Sequence, residues 1–272
     1  MSGWQTLHRE LEAWRESGRA ATFWWRDDDA VDGGPALDRL LDLAEQHRAP
    51  LSLAVIPART TAALALRLEG AAAHVSVLQH GFDHANHAPE GEKSMELGPH
   101  RPCVAICEEL AGGQAMLKAK FGKQAVPVLV PPWNRIADEF VPVLAGLGFR
   151  GLSAHTARTA LRPAEGLVAC NTHVDVMRWR PERGFLGENE ALNLLIGNLR
   201  ARRRAKVESP ADGPCRAEPD EPSGLLTHHL VMDDAAWSFV ARLLAMLSDH
   251  PAARWITADE AFHLSAAPCV DS

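Results

Sequence analysis

From residue 21 onward, short apolar runs alternate with longer segments whose apolar residues recur at helical spacing, and this alternation restricts the fold more than any other feature. The runs are ATFWW (21–25), LSLAVI (51–56), HVSVL (74–78), VPVLV (126–130), FRGLS (149–153), LVACNTHVDVMRW (167–179), GLLTHHLVM (224–232) and RWIT (254–257). Helix-like segments at 36–47, 60–69, 102–120, 137–147, 187–204 and 234–248 separate them, behind an N-terminal helix within 1–19. Repeated β-α units predict an α/β fold with a mostly parallel sheet, doubly wound or closed into a barrel. Two stretches break the pattern. Residues 80–101 are polar and rich in His, Gly and Pro directly after a strand, which reads as a functional loop; residues 205–223 are acidic and Pro-rich and read as an exposed, partly disordered connector.

At 272 residues with 46% hydrophobic content, the chain is long enough for one sizeable core, and a single domain over 1–272 is expected. Its net charge of −7 argues against a nucleic-acid or anionic-membrane partner. Five cysteines without a C-x-x-C pair read as reduced thiols. The first residues place Trp4, Leu7, Leu11 and Trp14 at helical spacing and lack the apolar core of a secretory signal, and nowhere do uninterrupted apolar residues reach membrane-spanning length. A cytoplasmic protein is expected. Thirteen histidines stand beside no tyrosine at all, so no phenol can serve as acid, base or oxyanion donor.

Parallel α/β folds place their sites at the carboxyl ends of strands, so the polar residues after each run are the informative ones. They are Arg26-Asp27-Asp28-Asp29, then His80, Asp83, His84 and His87, then Pro131-Pro132-Trp133-Asn134-Arg135, then Asp175, Arg178 and Trp179, and finally Thr227-His228-His229. Three adjacent aspartates repel unless a cation neutralises them; read alone, they fit equally well as an N-cap with solvated acids ahead of the helix at 36–47. His80 and His84 can face one point, as zinc requires, although a histidine pair in a polar loop is often only surface. The peptide N–H after a proline pair is fixed in space and can stabilise an oxyanion, although a plain turn explains the same residues.

Taken in order, Asp-Asp after the first strand, H-x-x-x-H after the third, Pro-Pro-aromatic, D-x-x-x-W and a late L-x-H resemble the polysaccharide deacetylases of carbohydrate esterase family four, the NodB-homology group. The resemblance covers roughly residues 20–260. It implies an irregular (β/α) barrel of about seven mostly parallel strands and metal-dependent hydrolysis of N- or O-acetyl groups on a sugar or polysaccharide, with a divalent metal, most commonly Zn2+. The family's H-[ST]-x-x-H falls on His80 to His84, making His80 and His84 metal ligands with Asp29. Asp28 becomes the general base, with the pair Asp27 and Asp28 as the alternative alignment. His228 becomes the general acid, with His229 as the competing choice. Trp133 supplies an oxyanion N–H, and Pro132 and Trp179 wall the acetyl pocket.

The departures are specific. Gly81 replaces the hydroxyl residue of the metal motif, Val130 stands where an arginine precedes Pro-Pro, and Arg178 stands where the fourth motif has its second aspartate. A positive charge near the base then has to come from Arg178 or Arg26, and Arg178 is the catalytic candidate. His87, Glu92 and Glu96 read as solvated surface. A non-carbohydrate amide as substrate and a non-catalytic sugar-binding protein are the competing functions.

Overall fold

The computed structural model describes residues 2–71, 74–205 and 220–264. Helix α1 (Gly3–Glu16) opens on Ser2, whose hydroxyl caps the Gln5 N–H while the Gln5 side chain returns the bond to the Ser2 N–H. Strands and helices then alternate: β1 (Ala21–Ala30), α2 (Pro35–Gln46), β2 (Leu51–Val55), α3 (Ala62–Glu69), β3 (Val75–His80), α4 (Cys103–Phe121) and β4 (Ala125–Val130). The second half has shorter strands: β5 (Gly151–Leu152), β6 (Val168–Ala169), β7 (Val174–Asp175), β8 (Met177–Arg178) and β9 (Gly184–Phe185). It ends with α5 (Glu188–Arg204), β10 (Ser223–Thr227), α6 (Asp234–Asp249), β11 (Ala253–Trp255) and α7 (Ala258–Ala261).

One parallel sheet of nine strands, in the order β6-β5-β4-β3-β2-β1-β10-β7 with β11 added along β1, curls into an open barrel. This is the irregular α/β barrel that the family resemblance implied, one of the two arrangements the alternation left open. Its edge strands β6 and β7 are consecutive in the chain, so the segment between them spans the opening. The pleat separates two cores. Phe23 and Trp25 point outward into the layer formed with Leu7, Leu11 and Trp14 of α1 and with α2, α5 and α6. Trp24 points inward, where Leu78, Val128, Val130 and Phe262 fill the barrel, with the Trp24 and Phe262 rings edge to face at 5.5 Å. Among the described residues no helix is long and apolar enough to cross a membrane.

Several expected boundaries are corrected. Residues 137–147 form short 3-10 turns around Asp138–Val143, with Pro142 inside, instead of an α-helix. The run 167–179 is broken into β6, β7 and β8 because side chains take over backbone bonds: Asn171 Oδ1 accepts the Ala154 N–H, His173 Nδ1 accepts the Gly224 N–H, and Asp175 Oδ1 accepts the Met177 N–H. The connector at 205–223 lies for the most part outside the described residues, but its end is buried. Glu221 is 1% exposed and accepts the N–H groups of Arg158 and Asn171. Strand β1 also continues through its acids to Ala30, so Asp27 and Asp28 are buried strand residues and not a solvated cap.

Asp27 fastens β1 to the turn after β10. Its carboxylate, fully buried, accepts the Thr227 hydroxyl at 2.6 Å, the His229 N–H at 3.0 Å and the His229 Nδ1–H at 2.5 Å. Thr227 in turn accepts the Trp25 indole N–H at 2.9 Å. Burial alone would lower the His229 imidazole, and the adjacent Asp27 charge raises it instead, so the two form a buried ion pair. Removing one partner of such a pair strands the other. Asp27→Ala should therefore destabilise the fold by about 3–5 kcal/mol, measured as a shift of the urea unfolding midpoint at unchanged slope; a midpoint equal to the unsubstituted chain's would contradict the clamp.

Candidate metal and catalytic centre

The next two aspartates are committed differently. Asp28, on the same side of β1 as Arg26, meets its guanidinium through both oxygens, Nε to Oδ1 at 2.9 Å and Nη2 to Oδ2 at 3.0 Å. Arg26 has no exposed surface and is held in place by Ser153 Oγ at 2.6 Å, the Ala154 carbonyl at 3.2 Å and Asn134 Oδ1 at 2.6 Å. A planar fork whose two terminal nitrogens are held by four hydrogen bonds fixes the plane of the carboxylate beside it. Arg178 does not do this. It is exposed on β8, where its Nε points to the Glu182 carbonyl at 3.5 Å, because the strand that carries it has left the main sheet.

Asp29 leaves the strand geometry with φ 70° and turns its carboxylate to two histidines. Its Oδ1 lies 3.2 Å from His80 Nε2 and 3.3 Å from His84 Nε2, and the three donor atoms fall within 4.8 Å of one another. His80 ends β3, and His84 follows the turn that begins at Gly81, itself in the left-handed region at φ 56°. Burial would raise the Asp29 carboxyl, but the His80 hydrogen bond and the charges of His80, His228 and His84 reverse this and hold it well below the usual carboxylate range. Burial lowers the His84 imidazole, and the neighbouring His80 lowers it further. One ionised carboxylate thus stands beside an imidazole that favours its neutral form, which is the protonation a divalent cation needs.

His80 is turned to the same point. Its Nδ1 donates to the Val130 carbonyl at 2.9 Å, which directs Nε2 to Asp29; the Asp28 and Asp29 charges raise its imidazole against burial, so a cation would take the place of the Nε2 proton that Asp29 accepts. A second cluster, His8, Glu12 and His250, has comparable spacing, but its His250 and Glu12 are already engaged by other groups. His250 Nδ1 accepts the Ala252 N–H at 3.2 Å, so the proton sits on Nε2 and is shared with Glu12 Oε1 at 3.0 Å. Arg15 takes the other Glu12 oxygen at 2.7 Å. That cluster is a hydrogen-bonded pair tying α1 to the end of α6.

Around this centre the structure gathers most of the remaining candidates. The Trp133 ring packs on His84 with centroids 4.3 Å apart, from a backbone at φ 54°, and Pro132 is buried beside it. His228, 6% exposed, lies with Nδ1 3.7 Å from Asp175 Oδ1, and the Trp179 ring stands edge to face against it at 4.7 Å. Trp179 Nε1 donates to Asp175 Oδ2 at 2.7 Å, which pins the half-exposed indole over the histidine. Burial raises the Asp175 carboxyl against the opposing pull of His228. His229, the competing acid, and Asp27, the alternative base, are consumed by their own pair. His87 and Glu92 are on the surface as expected.

Reading the sequence missed two participants. Glu96, expected in solvent, is 1% exposed beneath the His80–His84 turn. His155 follows the carbonyl that accepts from Arg26; burial and the Arg26 charge lower its imidazole to about 4, so it is a neutral group, bonded through Nδ1 to Thr172 Oγ1 at 3.1 Å. No short-range pattern marks either residue, since both depend on contacts with distant strands.

No family model matches the sequence, and no curated protein matches it. Solved structures do. A Mycobacterium smegmatis structure assigned as a polysaccharide deacetylase superposes with a TM-score of 0.64 at 14% identity, covering 91% of this chain and 90% of that one. A peptidoglycan N-acetylglucosamine deacetylase gives 0.52 at 14% identity, over 93% and 97%. A carbohydrate esterase family four pseudoenzyme from Bacillus anthracis also gives 0.52 at 14%, over 90% of this chain and 66% of that one. The chain therefore has the fold of the polysaccharide deacetylases of carbohydrate esterase family four, as its motifs implied.

Proposed function

We propose that the chain is a divalent-metal-dependent hydrolase that removes acetyl groups from an N- or O-acetylated sugar or polysaccharide. The observation that carries this reading is the convergence of Asp29, His80 and His84 on one point, with Asp28 next in the chain and His228 close enough to influence Asp29. Deacetylases among the solved structures of the same fold support the substrate class. Three unpaired cysteines among the described residues, Cys103, Cys107 and Cys170, suit a reducing, cytoplasmic setting.

Asp29, His80 and His84 would hold the metal, and an N2O donor set with room for water suits zinc. When bound, such a metal supplies Lewis-acid polarisation of a carbonyl and acidifies a water. The protein's own groups do the rest. Asp28, its plane fixed by Arg26, takes the proton from the attacking water. The Trp133 N–H, held in a left-handed turn behind two prolines, donates to the oxyanion that develops. His228 gives a proton to the departing nitrogen or oxygen, with Asp175 Oδ1 facing its Nδ1 at 3.7 Å. Pro132 and Trp179 wall the acetyl methyl group.

Metal analysis of the purified chain, combined with acetate release from a panel of acetylated glycans, tests the reading. One metal per chain is expected, lost in His80→Ala and retained in His250→Ala. Stoichiometric metal without acetate from any glycan would transfer the reading to a non-carbohydrate amide. No bound metal in the unsubstituted chain would leave only a non-catalytic binding protein.

The two arginines give a sharper contrast. Asp28→Asn should lower kcat/KM by about 10²–10⁴-fold, the range of a general base. Arg26→Met should act in the same direction because it leaves Asp28 buried and unpaired. Arg178→Ala, altering an exposed side chain, should leave kcat/KM near that of the unsubstituted enzyme; a loss comparable to that of Arg26→Met would return the role to Arg178.

A further inference from the structure

We propose that Glu96 is the positioning residue of the metal centre: its buried carboxylate holds the backbone of the turn between His80 and His84 so that both imidazoles face Asp29. The inference rests on the metal-binding reading above. Glu96 Oε2 accepts the Phe82 N–H at 3.2 Å and Oε1 accepts the Asp83 N–H at 2.8 Å. Successive amides beside a left-handed residue form a concave anion site, and here the anion is a side chain of the same protein.

Gly81 makes this possible. Its φ is +56°, and a Cβ at this position would fall 1.9 Å from Glu96 Oε2 and 2.5 Å from Pro132 Cγ. The space a side chain at position 81 would use is thus filled by the carboxylate and the proline ring. Where the H-[ST]-x-x-H pattern carries a hydroxyl inside the turn, this chain brings an acceptor from the far end of the loop. The loop is built to deliver it. Asn86 Oδ1 accepts the N–H groups of Ala88 and Met95, and the His87 N–H donates to the Met95 carbonyl, so the chain doubles back. Arg135 then donates to the Ser94 carbonyl at 2.8 Å, and Leu97, buried, pairs with Ile136 and accepts the Ala137 N–H at 2.9 Å. Glu96 lies between these two anchors. The segment that carries Trp133 therefore also seats the carboxylate that shapes the histidine turn.

Both oxygens of Glu96 are occupied by amides, so it is not itself a ligand; it acts through His80 and His84. The test is the zinc affinity of the metal-free chain and of Glu96→Ala and Glu96→Gln, by competition with a chromogenic chelator, alongside the melting temperature of each with and without zinc. Glu96→Ala should lower zinc affinity by about 10–100-fold, as loss of a residue that orients ligands does, and should shrink the rise in melting temperature that zinc produces. Glu96→Gln keeps the volume and one acceptor, so its affinity should fall between the two, and it decides the matter if Glu96→Ala does not fold. Unchanged affinity in a folded Glu96→Ala would overturn the proposal, as would a folded Glu96→Gln no better than Glu96→Ala. An unsubstituted chain that binds no zinc would instead overturn the metal-binding reading on which this one rests.

Discussion

Three consecutive carboxylates on the central strand must each be neutralised, and the arrangement of the molecule around β1 follows from how that is done. Burying a carboxylate costs several kcal/mol unless it gains a partner of opposite charge and full hydrogen bonding. A pleated strand points neighbouring side chains to opposite faces, so the three acids cannot share one partner. Asp27 faces outward and takes His229 from the turn after β10. Asp28 faces inward and takes Arg26 from its own strand, two residues back. Asp29 breaks the strand geometry and takes His80 and His84 from the end of β3. Of these solutions only the last leaves donor atoms open to a cation. In the proposed reading, the run is a structural clamp, a fixed base and a ligand in successive residues.

Arg26 is the hinge of this scheme. Because it comes from β1 itself, it reaches across the barrel interior to Asn134, Ser153 and Ala154, and so ties β1 to the loop after β4 and the end of β5. An arginine delivered from the end of β4 would stand on the loop it now grips. Val130 occupies that place here, and its main-chain carbonyl accepts from His80 Nδ1 and from the Gly81 N–H, so the end of β4 also holds the end of β3.

The α/β class and the positions of most strands were legible because alternation between period 2 and period 3.6 is a local signal. The H-x-x-x-H pair and the aspartates were legible for a related reason: strand ends can be located from the same pattern. What was not legible depended on contacts between distant segments. Arg178 and Arg26 look alike as candidates until one knows that β8 leaves the main sheet and that β1 continues through its acids. Glu96 sits in a polar, Gly- and Pro-rich loop whose composition reads as surface, and only the returning path through Asn86 and Ile136 buries it. The helix-like period at 137–147 lost to Pro142, and the long apolar run at 167–179 was cut by Asn171, His173 and Asp175, whose side chains compete for backbone groups.

Left-handed backbone at non-glycine residues concentrates at the same place: Asp29, His84, Trp133 and Asn134 all have positive φ, and Gly81 joins them. Each such residue costs on the order of 1–3 kcal/mol unless its surroundings over-determine it. Here each is held by something rigid. His84 is pressed between the Trp133 ring and the Glu96-bound turn, Asn134 is bonded to Arg26, and Asp29 continues a strand anchored by the aromatic packing of Phe23, Trp24 and Trp25. Strain gathered at one point and sustained from several elements is what a preorganised centre requires, since ligands and base must hold their geometry before a substrate arrives. The His8–Glu12–His250 cluster offers the contrast. It has similar residues at similar spacing, but its proton placement already satisfies His250 and Glu12 with each other, and nothing remains there for a cation to organise.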